Sequence, residues 1–192
     1  MDEKYVKVRK TTYYDLNAID SKTKFVLAHL FVEHRTIDNV VDFLKQIKDS
    51  CYDQILARYK KERCRPAKRR KLMRFVCDGF ENYRNGFNRV FGGIAKLTFG
   101  VPIKAGVNGL EYNNNPIERY NEDIEQRYKV MRGFKSAVCG GSFTEMRRIV
   151  RNFVNPHMGL SGETPAERAD VRIICNRNKL LGLIRYVYLT IK

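Results

Sequence analysis

The sequence predicts an α/β fold, a mixed β-sheet flanked by helices. Three observations carry that expectation: strand-like alternation fills the first third of the chain, helical periodicity takes over directly after it, and short apolar runs return between the later helices. Val6 and Val8 alternate with Lys7 and Arg9, and Tyr14, Leu16 and Ala18 alternate with Asp15 and Asn17. Asp20-Ser21-Lys22-Thr23 supplies turn residues. Phe25 to Val32 is apolar except for His29, as a strand covered on both faces would be. Three strands on short turns are expected to form an antiparallel meander.

Ile37, Val40, Val41, Leu44, Ile47, Cys51, Ile55 and Tyr59 then recur at steps of three and four, one stripe of a long helix. Thr36 is placed to cap it, with Asp38 in the positive first turn. Residues 58–74 hold ten Lys or Arg against one Glu and are broken by Pro66, which reads as a helix end and a basic linker. Phe75-Val76-Cys77 is a short strand ending in Asp78-Gly79. A helix is expected near Tyr83 to Phe91, stopped by Gly92-Gly93. Leu97 to Ile103 reads as a strand, with Pro102 at its edge or end. Asn115 is the expected N-cap of the next helix and Pro116 its first residue. Ile117, Tyr120, Ile124, Tyr128 and Met131 form its buried stripe, and Gly133 stops it. A further helix is expected from Phe143 to Phe153, and Leu180 to Leu189 as a helix or strand. The order is β-β-β-α-β-α-β-α-α, without an internal repeat.

At 192 residues, with 43% hydrophobic and 11% aromatic content, the chain can bury a core, which excludes a disordered or low-complexity class. Lys and Arg total 37 against 21 Asp and Glu, a net charge of +16. That excess predicts a polyanionic partner, nucleic acid first. No apolar run approaches the ~18 residues needed to span a bilayer, and the start lacks a secretory apolar region. The five cysteines include no Cys-x-x-Cys pair, and the even spacing of Cys51, Cys64 and Cys77 reads as coincidence. Neither a disulfide framework nor a zinc ribbon is expected, and a reducing cytoplasm is the expected location.

Three acids fall where such a scaffold can converge them. Asp2 opens the first strand. Asp78 ends a strand reached after a crossover helix, where open α/β sheets present their ligands. Glu118 stands in the first turn of a capped helix. Three such carboxylates make a hard-oxygen site for Mg²⁺ or Mn²⁺, and two such ions can serve phosphoryl transfer. Taken singly, an acid after an apolar run serves a turn and an acid in a helix's first turn serves the dipole. Their joint order and the surrounding positive charge favour a phosphodiester substrate. Glu118, Glu122, Glu125, Lys129 and Arg132 share one helix flank, acidic near the cap and basic at the far end. A solvated face with a Glu125–Lys129 pair reads equally well.

These residues also carry a resemblance. Asp2-Glu3-Lys4-Tyr5-Val6-Lys7-Val8 with Tyr14, Ala18-Ile19-Asp20, then Val76-Cys77-Asp78-Gly79 with Tyr83, then Asn114-Asn115-Pro116-Ile117-Glu118-Arg119-Tyr120-Asn121, resemble the three acid motifs of bacterial and archaeal insertion-sequence transposases. Those are DDE enzymes of the retroviral-integrase, RNase H-like superfamily. Arg127, Met131-Arg132-Gly133-Phe134-Lys135-Ser136, Asn152-Phe153-Val154-Asn155-Pro156-His157-Met158-Gly159-Leu160 and Thr164-Pro165-Ala166-Glu167 are similar to the remainder of such domains. The resemblance spans about residues 1–170 and leaves 171–192 as an extension packed on the domain.

The resemblance implies an RNase H-like fold and a catalytic domain for DNA transposition, by metal-dependent strand cleavage and 3′-hydroxyl strand transfer. Asp2, Asp78 and Glu118 would hold two Mg²⁺ or Mn²⁺ ions. Arg119, Arg127, Lys129, Arg132 and Lys135 would contact phosphates of double-stranded DNA, at element ends and target, and Lys68, Arg69, Arg70 and Lys71 would add affinity. At least a homodimer, associated with the nucleoid and not with a membrane, is implied. Asp20 is the rival first acid, and Asp2 is preferred. His157, in Asn-Pro-His before Gly159, reads as a turn residue. Transposases of this kind carry a helix-turn-helix region ahead of the catalytic domain; here the chain starts beside Asp2, so that region is expected to be missing and Asp2 to fray. Two other readings are an inactive, truncated DNA-binding remnant and an RNase H-like nuclease that cuts without joining.

Overall fold

The computed structural model describes residues 1–101, 114–171 and 178–190. β1 (Asp2–Val8), β2 (Thr11–Ile19) and β3 (Val26–Val32) form an antiparallel sheet in the order β1-β2-β3. Its register sets Asp2 opposite Asn17 and Asn17 opposite His29. Asp20 closes the β2–β3 turn: its Oδ2 accepts from the Lys22 and Thr23 amides and from the Thr23 hydroxyl.

The long helix α1 (Ile37–Glu62) follows, capped by Thr36, which accepts from the Asn39 amide. Cys51 is non-helical, φ −141° and ψ 23°, so two helical segments meet at a kink there. Val40, Phe43, Leu44, Ile47 and Ile55 are fully buried. A 3₁₀ turn at Ala67–Arg69 leads to β4 (Arg74–Val76), then α2 (Glu81–Phe91) and β5 (Lys96–Thr98). Gly92, at φ 47°, caps α2 in the left-handed conformation. β4 and β5 pair in parallel.

The chain is α/β, but its hydrogen bonding departs from one continuous mixed sheet. The three antiparallel strands and the parallel pair are separate ladders. A bond between the two runs from the Met1 amino group to the Val76 carbonyl at 2.7 Å. β4 and β5 are three residues each, too short to extend that contact into a ladder. Asp2 is paired with Asn17 at the first position of β1.

α3 (Asn115–Val130), α4 (Ala137–Phe153), the single turn α5 (Pro165–Arg168) and α6 (Lys179–Thr190) complete the order. On one side of the sheet, Leu16, Ala18 and Ala28 pack with α1 and with Phe75, Tyr83, Phe87 and Phe91. The opposite side is covered too. Val26 packs with Ile117, Tyr120 and Ile124 of α3, and Val6 and Val8 pack with Phe134. Asn152 of α4 docks on β3 with both amide atoms, accepting from the Val26 amide and donating to its carbonyl. This second layer buries Asp15 and Asn17 completely, although the alternation of β2 had placed them outward.

Several boundaries move. The N-cap of α3 is Asn114, and Asn115 is its first residue. Met131 is 48% exposed and not part of the buried stripe, because α3 ends at Val130 and the chain turns through Arg132 (φ 56°) and Gly133 (φ 95°). α4 starts at Ala137, under a Ser136 cap, and not at Phe143. Its first turns lack an apolar stripe because the contact needs a small residue: a Cβ on Gly140 would lie 2.8 Å from the Phe31 ring. β5 stops at Thr98, and Pro102 and Ile103 lie outside the described residues. The 180–189 segment is helical, and its apolar side chains Ile184, Val187 and Leu189 are exposed.

Gly86 sets the spacing between α1 and α2. A Cβ there would meet Leu44 and Val40 at 3.1 Å. Gly86→Val should therefore destabilise the protein by ~1–3 kcal/mol through overpacking, read as a lower denaturant midpoint. Gly79→Ala, at a position with nothing within 4 Å, should leave the midpoint nearly unchanged.

Candidate functional site

β1 and β4 bring carboxylates together from distant parts of the sequence. Asp2, Glu3 and Asp78 each offer an oxygen, and all three oxygens lie within 4.8 Å of one another. Asp78 follows β4. Its Oδ1 accepts from the Phe80 amide at 3.1 Å, starting the turn into α2, and its carbonyl accepts from the Gly100 amide beyond β5. Asp2 opens β1, and its Oδ2 accepts from Asn121 Nδ2 at 3.0 Å. Glu3 is buried, pairs with Arg35, and accepts from the Tyr83 hydroxyl at 3.2 Å. Arg35 itself stacks over Phe80 at 4.3 Å and Tyr14 at 4.7 Å, which fixes its guanidinium against Glu3.

Electrostatics follow from crowding three acids in a half-buried place. Burial pushes the Asp2 carboxyl above its ordinary value, and the neighbouring Asp78 adds to the shift. Burial also raises Glu3, with Asp78 next, while Arg35 works against both. The Tyr83 hydroxyl is raised well above its usual value by burial and by the three acids around it. Hard oxygens so close repel each other, and a divalent cation of the Mg²⁺ or Mn²⁺ class relieves that repulsion. The donor set fits such an ion, and a buried oxygen beside it, Asn121 Oδ1, has no hydrogen-bond partner.

Glu118 stands outside the close group. It is half-buried in the first turn of α3, one helical turn before Asn121 on the same flank. α3 runs along β1: Asn121 meets Asp2, Glu125 meets Lys4, and the Tyr128 hydroxyl bonds both backbone groups of Lys7. Glu125 also pairs with Lys129 at 3.0 Å, the i,i+4 pair of a solvated face. Asp20 is committed to its turn. His157 Nδ1 accepts from the Gly159 amide, the turn role expected of it.

The basic residues occupy two regions. Glu62, 2% exposed, accepts from the Lys71 amide and from Arg65, and braces the 63–71 loop. Arg70 donates to the Arg65 and Arg63 carbonyls, so it shapes the loop, while Lys68, Arg69 and Lys71 are exposed. Arg119, Arg127, Lys129, Arg132 and Lys135 are exposed on α3 and the turn after it. That turn is held to β1 by Arg9, whose amide donates to Phe134 and whose side chain donates to Lys135.

Sequence reasoning missed Glu3, Arg35 and Asn121. Glu3 follows Asp2 and so points to the other face of β1, and only Asp78 beyond the strand edge lets both acids meet. Asn121 carried a signal, since it follows Glu118 by three on one helix flank. Among the described residues Cys51, Cys64, Cys77 and Cys139 are all free, and no helix is long and apolar enough to cross a membrane.

Asp2 and Glu3 both have folded-state values above the ordinary ones. The stability they contribute is complete below the ordinary carboxyl range and is lost as pH rises through the raised values. The contribution of Asp2 and Glu3 in metal-free protein should fall on that rise, and Asp78→Asn, which removes a like charge, should lessen the fall, read as the difference between the two stability-against-pH curves. Thermal unfolding in chelator from about pH 4 to pH 8 reads it; an identical slope in Asp78→Asn would show that the three acids are not coupled.

No protein-family profile matches the chain and no curated protein matches it, so the reading of the site rests on the chain's own residues.

Proposed function

We propose that this chain is the catalytic domain of a DDE transposase, with an RNase H-like fold, acting on double-stranded DNA by metal-dependent strand cleavage and 3′-hydroxyl strand transfer. The observation that carries the reading is the meeting of Asp2 and Asp78 within 4.8 Å at the edges of two neighbouring strands. The antiparallel β1-β2-β3 meander, the Met1–Val76 bond that sets β4 beside β1, and the parallel β5 beyond it support the fold assignment.

In this reading Asp2, Asp78 and Glu118 would hold Mg²⁺ or Mn²⁺. Ions bound there supply activation of an attacking oxygen and stabilisation of the leaving oxygen. Glu3, already neutralised by Arg35, holds the shape of the site and leaves the metal charge to the other acids. Arg119, Arg127, Arg132 and Lys135 present cations along α3 and its following turn, and the 63–71 loop presents Lys68, Arg69 and Lys71; both regions suit phosphate contacts. Joining two element ends to a target implies at least a homodimer at work.

Asp78→Ala and Glu118→Gln should each abolish Mg²⁺-dependent cutting of element-end DNA, while binding stays intact or tightens because repulsion with phosphate is removed. Joined products identify a transposase, cut products without joining an RNase H-like nuclease, and binding without products an inactive remnant. Full activity in Asp78→Ala would sink the metal reading.

DNA binding by this chain should weaken steeply with salt. Each neutralised phosphate contributes a slope of about −0.9 in log K against log salt, so six contacts give roughly −5. Neutralising Lys68, Arg69, Arg70 and Lys71 together should shallow that slope, as measured by titrations on element-end and scrambled duplexes. A preference above ~100-fold for the element end would reveal base readout that the basic surfaces alone do not supply.

A further inference from the structure

Asn121 makes one contact and lacks another. It is 6% exposed and donates through Nδ2 to Asp2 Oδ2 at 3.0 Å. A carboxylate can only accept, so the amide nitrogen faces Asp2 and the oxygen is left over. That oxygen, Oδ1, is buried and has no partner. Buried polar atoms are nearly always paired, so its lack of a donor needs a reason. Across the sheet, Asn17 repeats the pattern. It is opposite Asp2 on the same face, 0% exposed, and uses Nδ2 on Asp15, while its own Oδ1 is unpartnered.

Two buried amide oxygens therefore flank Asp2, and both need donors. Neither Glu3, which pairs with Arg35 and accepts from Tyr83, nor Asp78, which accepts from the Phe80 amide, bonds to either oxygen. Water can donate to them, and water bound to a divalent cation is turned with its hydrogens outward. Mg²⁺ in particular keeps several waters when it binds to one or two carboxylates. We propose that Asn121 Oδ1, supported by Asn17 Oδ1, accepts hydrogen bonds from water in the coordination shell of a divalent cation held by Asp2 and Asp78. The proposal rests on the reading of these acids as a metal site. Asn121 is then a positioning residue with two tasks: Nδ2 orients Asp2, and Oδ1 fixes the ion's water.

The test is Mn²⁺ binding to the whole chain, stripped of metal, read from the free-ion paramagnetic signal well below the unfolding temperature. Asn121→Ala should weaken Mn²⁺ binding about 10-fold or more, the range for losing an outer-shell partner. Asn121→Asp keeps an oxygen in place and should bind within a few-fold of the parent or tighter; it also decides the matter if the alanine variant does not fold. Binding within twofold of the parent in Asn121→Ala would overturn this proposal alone and assign an ordinary buried water to Oδ1. An equal loss in both variants would overturn it too, leaving the Nδ2 contact as the residue's whole role. A parent chain that binds no Mn²⁺ at millimolar concentration would overturn the proposal together with the metal reading beneath it.

Discussion

Burial of one stripe of α1 against the sheet is the contact on which the site depends. Val40, Phe43, Leu44 and Ile47 are 0% exposed, and they meet Leu16, Ala18 and Ala28 on one side and Tyr83, Phe87 and Phe91 on the other. Each fully buried side chain of this kind contributes roughly 1.5–3 kcal/mol relative to exposure. The stripe also decides geometry. α1 connects β3 to β4, so its seating determines where β4 lands. Once it is seated, β4 lies at the free side of β1, where the Met1 amino group bonds the Val76 carbonyl. Asp78, just past the end of β4, then falls beside Asp2 and Glu3.

Holding three acids there is unfavourable unless charge is balanced, and the protein does this unequally. Glu3 receives a dedicated cation, Arg35, and a hydroxyl, Tyr83, both drawn from the α1–α2 side of the sheet. Asp2 receives a neutral amide from α3 and Asp78 a single backbone amide. The two acids with the weaker compensation are the two best able to accept a cation. A second balanced cluster lies one layer away. His29 Nε2 is 2.6 Å from Asp15, and its Nδ1 is 3.2 Å from Glu145. Burial lowers the His29 value, but the bonds to Asp15 and Glu145 outweigh it and push it up to about 9. His29 is thus a charged clasp between the sheet and α4 at neutral pH, and its contribution fades as pH rises toward that value.

The strands, the long helix and the basic segment were legible because each depends on local pattern. Alternation at Val6 and Val8, a three-and-four stripe from Ile37, and Pro66 amid cations all act over a few residues. What the pattern could not show was the second layer on the sheet. Asp15 and Asn17 alternate with Leu16 and Ala18 as a solvated face would, yet α3 and α4 cover them; His29 pairs with Asp15, while Asn17 Oδ1 is left without a partner. Asp2 and Asp78 were readable as strand-end acids. Glu3 was not, since its part depends on Arg35, which no spacing links to it. Asn114 displaced Asn115 as the cap because three consecutive asparagines offer the same chemistry, and only the backbone at the helix start decides between them.

The distribution of charge separates two demands. In the proposed reading, a net charge of +16 would draw a polyanion from a distance, while the acids at Asp2, Glu3 and Asp78 would repel it close by. Without a cation those tendencies conflict at the point where a phosphate would sit. A divalent ion would remove the conflict and turn the repelling group into the attracting one. Along α3, Glu118 stands in the first turn beside the exposed Arg119, Glu125 is spent on Lys4 and Lys129, and further exposed cations follow at Arg127, Arg132 and Lys135. In the proposed reading, a phosphate backbone along that flank would find cations at Arg119, Arg127, Arg132 and Lys135, and the acid pair would accept it only with metal bound. In the proposed reading, phosphate binding and metal loading would meet along one helix, where Asn121 bonds Asp2.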